Sequence, residues 1–171
     1  ARDVKTMAQN VSNVLDRLRS ANLQLTPKKC EFCVKELTFL GRTITTEGIG
    51  VDPTKVQAIN DMKRPNTVRA LKRFLGAASF NRKHIARFAE RTMNMRRLLQ
   101  KDQPCKLNWS DQCEKEWLDI KQALTTAPVL AFFDPTLPTT VSTDASASSV
   151  AYGISQLHPD GKEHWVSYGS R

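Results

Sequence analysis

Apolar residues recur at Val4, Met7, Ala8, Val11, Val14, Leu15 and Leu18, a three- and four-residue spacing that lines one face of a helix. Asp3 stands where a side chain caps the first turn, and Asn22 suits the end. The pattern then changes. Leu23 and Leu25 alternate with polar residues until Thr26-Pro27, and Leu37 to Ile44 is rich in β-formers. Thr46-Glu47-Gly48 follows as a turn, which predicts a hairpin. Asp52-Pro53 predicts a helix start, a capping acid before a proline at the first helical position. Val56, Ile59 and Met62 supply its buried face, and Pro65 stops it. Thr67 caps the next helix, whose inner face is Leu71, Phe74, Leu75 and Ala78, and Ile85, Phe88 and Leu98 predict a third helical stretch.

Gln103-Pro104 reads as a junction. Asp111 is placed to cap a helix carrying Trp117, Ile120 and Leu124, which Pro128 ends. Short strand-like runs follow at Val129 to Phe133, Thr139 to Thr143, Val150 to Leu157 and His164 to Tyr168. His158-Pro159-Asp160-Gly161-Lys162 is a turn, so the last two runs are expected to form a hairpin. The expected class is α+β.

Charge adds what periodicity cannot. Between Lys63 and Lys101 there are twelve Lys or Arg residues and one acid, Glu90, so the net +9 is concentrated in one segment. Arg69, Lys72 and Arg73 fall outside the apolar face of their helix, as do Arg82, Lys83, Arg87, Arg91, Arg96 and Arg97 in the next stretch. Clustered cations favour a polyanion, because each one that meets a phosphate releases condensed counterions. A solvated basic face that keeps the protein soluble is the other reading. No run approaches the roughly 20 apolar residues of a membrane span, and the N-terminus has no apolar signal-peptide core. Four cysteines without framework spacing suggest a reducing compartment. Cys30 and Cys33 have metal-knuckle spacing, but Cys105 and Cys113 are too far apart to be a second pair, leaving partly buried thiols as the alternative to zinc. The sequence starts without Met and stops straight after a strand-like run, so an interior piece of a longer chain is expected.

A series of ordered motifs carries a family resemblance. Phe39-Leu40-Gly41-Arg42-Thr43-Ile44, Glu47-Gly48-Ile49 and Asp52-Pro53-Thr54-Lys55-Val56 are followed by Arg64-Pro65-Asn66-Thr67 and Arg73-Phe74-Leu75-Gly76. Trp109-Ser110-Asp111, Ala127-Pro128-Val129-Leu130, Asp134, Thr143-Asp144-Ala145-Ser146, Ser155-Gln156 and Tyr168-Gly169-Ser170-Arg171 complete the order. Across nearly its whole length the chain resembles the reverse transcriptase and ribonuclease H region of gypsy-type LTR retrotransposon Pol polyproteins. Departures stand at Phe80-Asn81-Arg82 (Tyr-Tyr-Arg in the family), at Asn94-Met95 (Pro-Leu), and at Ser149 and Ala151, where glycines are expected.

The resemblance implies a layout. Residues 1–51 would be the end of a polymerase palm, with Phe39, Leu40 and Gly41 in the primer-grip hairpin. Residues 52–103 would be a thumb of basic helices, and 104–171 a connection followed by the first strands of a truncated ribonuclease H-like domain. Gly76 would let the helix backbone approach the duplex and Phe80 would rest against its sugars. Arg69, Lys72, Arg73, Arg82 and Lys83 would supply phosphate contacts. Asp144 would be the first catalytic, metal-binding carboxylate of ribonuclease H.

The Tyr-x-Asp-Asp turn of the polymerase does not occur in this sequence, and one carboxylate cannot hold the two magnesium ions such a nuclease uses. Mg2+ is therefore expected in the parent enzyme, an RNA-directed DNA polymerase (a nucleotidyltransferase) and ribonuclease H endonuclease, and not stably on this stretch. The expected partners are an RNA/DNA hybrid or other duplex and the rest of the polyprotein, with no membrane, in a cytoplasmic particle or the nucleus. The competing reading is a non-catalytic retroelement remnant that binds nucleic acid or another protein.

Overall fold

Asp3 accepts a hydrogen bond from the Thr6 amide at 2.8 Å and starts α1, Val4–Ser20, at the residue the apolar pattern predicts. Asn22 takes a left-handed φ of 59° just past its end, which short polar side chains tolerate. The structure, a computed structural model, describes residues 3–100, 107–147 and 149–171. The expected Gln103-Pro104 junction lies outside the described residues. Two compact units are present, one ending at Val34 and one running from Lys35 to Arg171. The first holds α1 and a short 3₁₀ turn, Pro27–Lys29.

The second unit opens with a three-stranded antiparallel meander, β1 Glu36–Phe39, β2 Arg42–Thr45 and β3 Ile49–Val51. The β-rich run from Leu37 to Ile44 is folded back on itself at Leu40-Gly41, within the hairpin that the resemblance implies. Leu40 and Gly41 have φ of 49° and 73°. Two positive φ angles in a two-residue loop give the tight turn whose twist matches a hairpin. The turn foreseen at Thr46 to Gly48 then joins β2 to β3. Gly48 has a φ of 151° and lies against the Leu130 carbonyl oxygen, leaving no room for a Cβ. The expected strand from Val129 to Phe133 is reduced to one bridge there, Ile49 N to Leu130 O at 2.7 Å and Leu130 N to Ile49 O at 2.9 Å. The next amide, Ala131 N, points to the other side and donates to Trp165 O at 2.8 Å, so the segment lies between β3 and the strand that carries Trp165.

Next come α2, Pro53–Asn60, capped by Asp52, and α3, Val68–Phe80, capped by Thr67. The expected third helix is broken into two 3₁₀ turns, Arg82–His84 and Glu90–Thr92, and a short α4, Met93–Arg97. Arg87 sits between them at a left-handed φ of 53°, which a continuous helix excludes. Of the expected apolar residues, Ile85 and Phe88 are nevertheless 2% exposed or less, while Leu98 is half-buried and Met95, which was not among them, is fully buried. The backbone reaches this burial without a continuous helix.

Ser110, not Asp111, caps α5, Asp111–Thr125, by accepting from the Cys113 amide at 3.3 Å. Asp111 is instead an acid in the first turn, where it complements the helix dipole. Cys113, Trp117, Ile120 and Leu124 of α5 enter the same core as Ile59, Leu71, Phe74, Leu75, Ala78, Ile85, Phe88 and Met95. Phe74 and Trp117 meet edge to face with centroids 6.4 Å apart. The Lys121 ammonium donates to the Asn60 and Met62 carbonyls, each at 2.7 Å, at the end of α2. Packing therefore does not separate the helices that follow Asp52 from α5, which completes their core.

A second antiparallel sheet runs β4 Thr139–Ala145, β5 Val150–Leu157 and β6 Glu163–Ser170, with a bulge at Ile154/Ser155. The expected hairpin at His158 to Lys162 forms. Gln156 is fully buried and satisfied: its amide donates to Asp134 O at 2.7 Å and Thr139 Oγ1 at 2.9 Å, and accepts from Asp134 N at 2.9 Å. The Ser155-Gln156 motif thus has a structural use, fixing the entry to β4 against β5. This sheet is tied to the segment after α3, where Arg82 donates to Ser170 O and Ala89 N donates to Ser170 Oγ at 2.8 Å.

Candidate nucleic-acid interface and the carboxylate at Asp144

Burying Leu71, Phe74, Leu75 and Ala78 turns Arg69, Lys72, Arg73, Gly76 and Phe80 outward on α3. Arg69, Arg73, Gly76 and Phe80 follow at spacings of four, three and four, so they form one stripe along the helix. A Cβ built on Gly76 would meet nothing within 4 Å, so the backbone is bare to solvent there. The stripe ends at Phe80, whose ring is 3.4 Å from where a Cβ of Gly41 would stand. The β1–β2 turn is thereby brought onto the end of α3. Phe39 and Leu40 beside it are 56% and 75% exposed.

Two residues with no role assigned from sequence join this cluster. The Arg42 guanidinium lies 5.4 Å from the centre of the Phe80 ring and its Nη2 donates to Phe80 O at 3.4 Å. Lys55 Cε is 4.0 Å from the Cβ position of Gly41. Arg42 stood in the motif Phe39 to Ile44, but nothing local to that motif shows a partner 38 residues away. Arg82 is exposed, and its guanidinium donates to Ser170 O, tying the segment after α3 to the sheet. Lys83 is exposed next to it.

His84 lies buried behind this surface, its Nδ1–H donating to Pro128 O at 3.1 Å and its Nε2 without a partner. Burial pushes its pKa down from the usual value, against the Pro128 bond, and the charges of Arg42 and Lys83 push the same way as burial. The native state therefore favours the neutral ring. Its contribution is complete above the unfolded value near 6.5 and is lost as pH falls from there towards the lowered folded value. Urea titrations should show stability falling between neutral and mildly acidic pH, and His84→Gln should flatten that part of the profile. An unchanged profile in the variant would remove His84 as the cause.

Asp144 lies on β4 opposite Ala151, one of the positions where a glycine was expected. Its carboxylate pairs with Arg87, Nη2 to Oδ2 at 2.8 Å, with both side chains more than half exposed. The pair lines a cleft of about 280 Å³ together with Tyr152, Gly153, Trp165 and Tyr168. A two-magnesium site needs several carboxylates around metals roughly 4 Å apart. Among the described residues no three His, Cys, Asp or Glu side chains gather to hold a metal, and Asp144 faces a guanidinium. The described residues do not fit that pair of ions. The Cys30 and Cys33 thiols are free, half-buried and exposed respectively.

Residues 109–171 match the family described as the RNase H-like domain found in reverse transcriptase. Over 98% of its length the chain is 32% identical to the retrovirus-related Pol polyprotein from transposon 412 of Drosophila melanogaster. Over 95% it is 33% identical to the transposon Tf2-3 polyprotein of Schizosaccharomyces pombe. It spans 13% and 12% of those two proteins. The whole fold superposes on the foamy viral protease-reverse transcriptase in complex with double-stranded DNA, with a TM-score of 0.83 at 23% identity, covering 100% of this chain and 30% of that one. A longer form of the foamy viral protease-reverse transcriptase, in complex with an RNA/DNA hybrid, gives 0.80 at 24% identity, covering 100% of this chain and 23% of that one. Residues 109–171 are thus an RNase H-like domain of the kind found in reverse transcriptase, and nearly the whole chain is homologous to a short stretch of retrotransposon Pol polyproteins.

Proposed function

We propose that this chain holds the template–primer duplex for an RNA-directed DNA polymerase with ribonuclease H activity, in a gypsy-type element. In that reading residues 1–51 end the palm, 52–103 form the thumb, and 104–171 are the connection and the first ribonuclease H strands. Asp144 is the first carboxylate of a nuclease site whose other ligands and Mg2+ belong to the parent enzyme. The parent works in a cytoplasmic particle or the nucleus. One observation carries the duplex reading: the exposed stripe Arg69, Arg73, Gly76 and Phe80 is continuous with the Leu40-Gly41 turn. The foamy viral relatives in fold were captured on double-stranded DNA and on an RNA/DNA hybrid, which supports it.

The test is a salt titration of binding to a hybrid duplex. Affinity should fall with salt at a slope of about −0.9 in log units per phosphate contact on duplex DNA. Removing Arg69, Lys72 and Arg73 together should flatten the slope by the contacts they make, at most about three. Gly76→Leu should weaken binding with the slope nearly unchanged, because it blocks close approach and removes no charge. The free protein has open space at that position, so its melt should not fall. A triple variant with the wild-type slope would leave the basic face as a solvated surface.

The second reading is the non-catalytic remnant, favoured by the Arg87–Asp144 pair and by Ala151 opposite that carboxylate. The open reading frame around these residues separates the two. A Tyr-x-Asp-Asp turn upstream and further acidic motifs downstream would support the polymerase.

A further inference from the structure

Phe80 is half exposed at the end of α3, and an exposed aromatic ring on a helix end has more than one rotamer open to it. Here contacts from another element constrain it. The Gly41 backbone closes on the ring edge, which stands 3.4 Å from the Gly41 Cβ position, and Gly41 has a φ of 73° that side chains rarely adopt. The Arg42 guanidinium lies over the ring at 5.4 Å and reaches the carbonyl of the same residue at 3.4 Å. A planar guanidinium can cover a ring and donate to a neighbouring oxygen at once; an ammonium cannot present that shape. The contact joins β2 to α3 across 38 residues.

We infer that Arg42 is a positioning residue for duplex binding: it fixes the Phe80 ring and locks the Leu40-Gly41 turn to α3. Turn and helix then meet the duplex as one preformed surface. This rests on the duplex-binding reading and adds to it the residue that assembles its two halves. Arg42 acts through Phe80, and its charge is not spent on a phosphate. Preformed contact surfaces gain affinity by reducing the ordering cost of association.

The experiment compares Arg42→Lys, Arg42→Ala, Phe80→Ala and the Arg42→Ala/Phe80→Ala double variant in the full chain. Hybrid-duplex binding is followed by fluorescence anisotropy across a salt series, and each variant is checked by a thermal melt. Both Arg42 variants are expected to weaken binding about three- to tenfold. Their salt slope should equal that of the wild type. On the Phe80→Ala background Arg42→Ala should cost nothing further, since the ring it positions is gone. Arg42→Lys keeps the charge, so its loss with an unchanged melt separates positioning from folding. A slope lower by about 0.9 would make Arg42 a phosphate contact and overturn the proposal. Additive losses in the double variant, or wild-type affinity in both Arg42 variants, would overturn it as well. If the wild type itself does not bind the hybrid, the duplex reading fails first and the positioning role fails with it.

Discussion

Ile120→Ala is expected to destabilise the helical core by about 2–5 kcal/mol, the range for removing a buried aliphatic side chain and leaving a cavity. Ile120 is 0% exposed and lies on α5, yet the residues clustered with it include Leu71, Phe74 and Ala78 of α3. The loss should therefore appear in a single transition. Trp117 fluorescence and helical circular dichroism should shift together in urea, and duplex binding should fall at the same denaturant concentration. Leu71→Ala, on α3 in the same cluster, should lower the same midpoint. The competing picture is a chain that separates near Pro104 into loosely coupled pieces. In that case Ile120→Ala would unfold only the later piece, leaving α2, α3 and duplex binding intact to the wild-type midpoint. Two transitions after this substitution would refute the shared core.

Glu116→Ala should cost on the order of 3 kcal/mol, because it removes a buried charged acceptor from three donors at once. Glu116 is 6% exposed. Its Oε1 accepts from Asn94 N at 3.0 Å and from Asn94 Nδ2 at 2.6 Å, and its Oε2 accepts from Met95 N at 2.9 Å. These amides belong to the first turn of α4, which has no capping side chain of its own. With only five residues, α4 depends on that borrowed carboxylate. Glu116→Gln keeps one acceptor oxygen and should lose less than Glu116→Ala. Asn94→Pro would remove both Asn94 donors, and it should destabilise as well. The measurement is the urea midpoint of the three variants. Equal stability of Glu116→Ala and wild type would show the carboxylate to be unimportant to α4.

Several elements were legible because their signals are local. Asp3, Asp52 and Thr67 cap the helices they precede, and Leu71, Phe74, Leu75 and Ala78 face the core as their spacing requires. The His158 to Lys162 turn, with Gly161 at a φ of 76°, joins the two strands expected on either side. Other elements are less legible because two local rules compete. The β-rich run Leu37 to Ile44 has good strand propensity throughout, so from the residues alone its turn is marked only by one glycine, and the resemblance is what places a hairpin there. The apolar residues Ile85, Phe88 and Leu98 suit a helix, but Arg87 adopts a left-handed backbone and Arg82 and Ala89 bond to Ser170.

The candidate site divides in the same way. The exposed face of α3 follows from its buried face, since a helix that commits four positions inward commits Arg69, Arg73, Gly76 and Phe80 outward. Arg42 on Phe80 could not be read, because no periodicity links positions 38 residues apart. Glu116 was also beyond reach, because a single acid on an amphipathic helix normally belongs to the solvent side. Arg87 opposite Asp144 is a third case, decided by where the segment after α3 meets the sheet.

By itself, then, the sequence determined the family, the helix starts, the core positions and the concentration of positive charge between Lys63 and Lys101. Caps, turns and periodic burial depend on residues within one or two turns of each other, and ordered motifs survive as strings. Only the tertiary structure decided that α5 completes the core of α2 to α4, that the Leu40-Gly41 turn docks on Phe80, and that Asp144 faces a guanidinium. Those outcomes are set by which surfaces exclude water together and by where buried polar groups find partners. Such choices are made between segments far apart in the chain, and no local pattern records them.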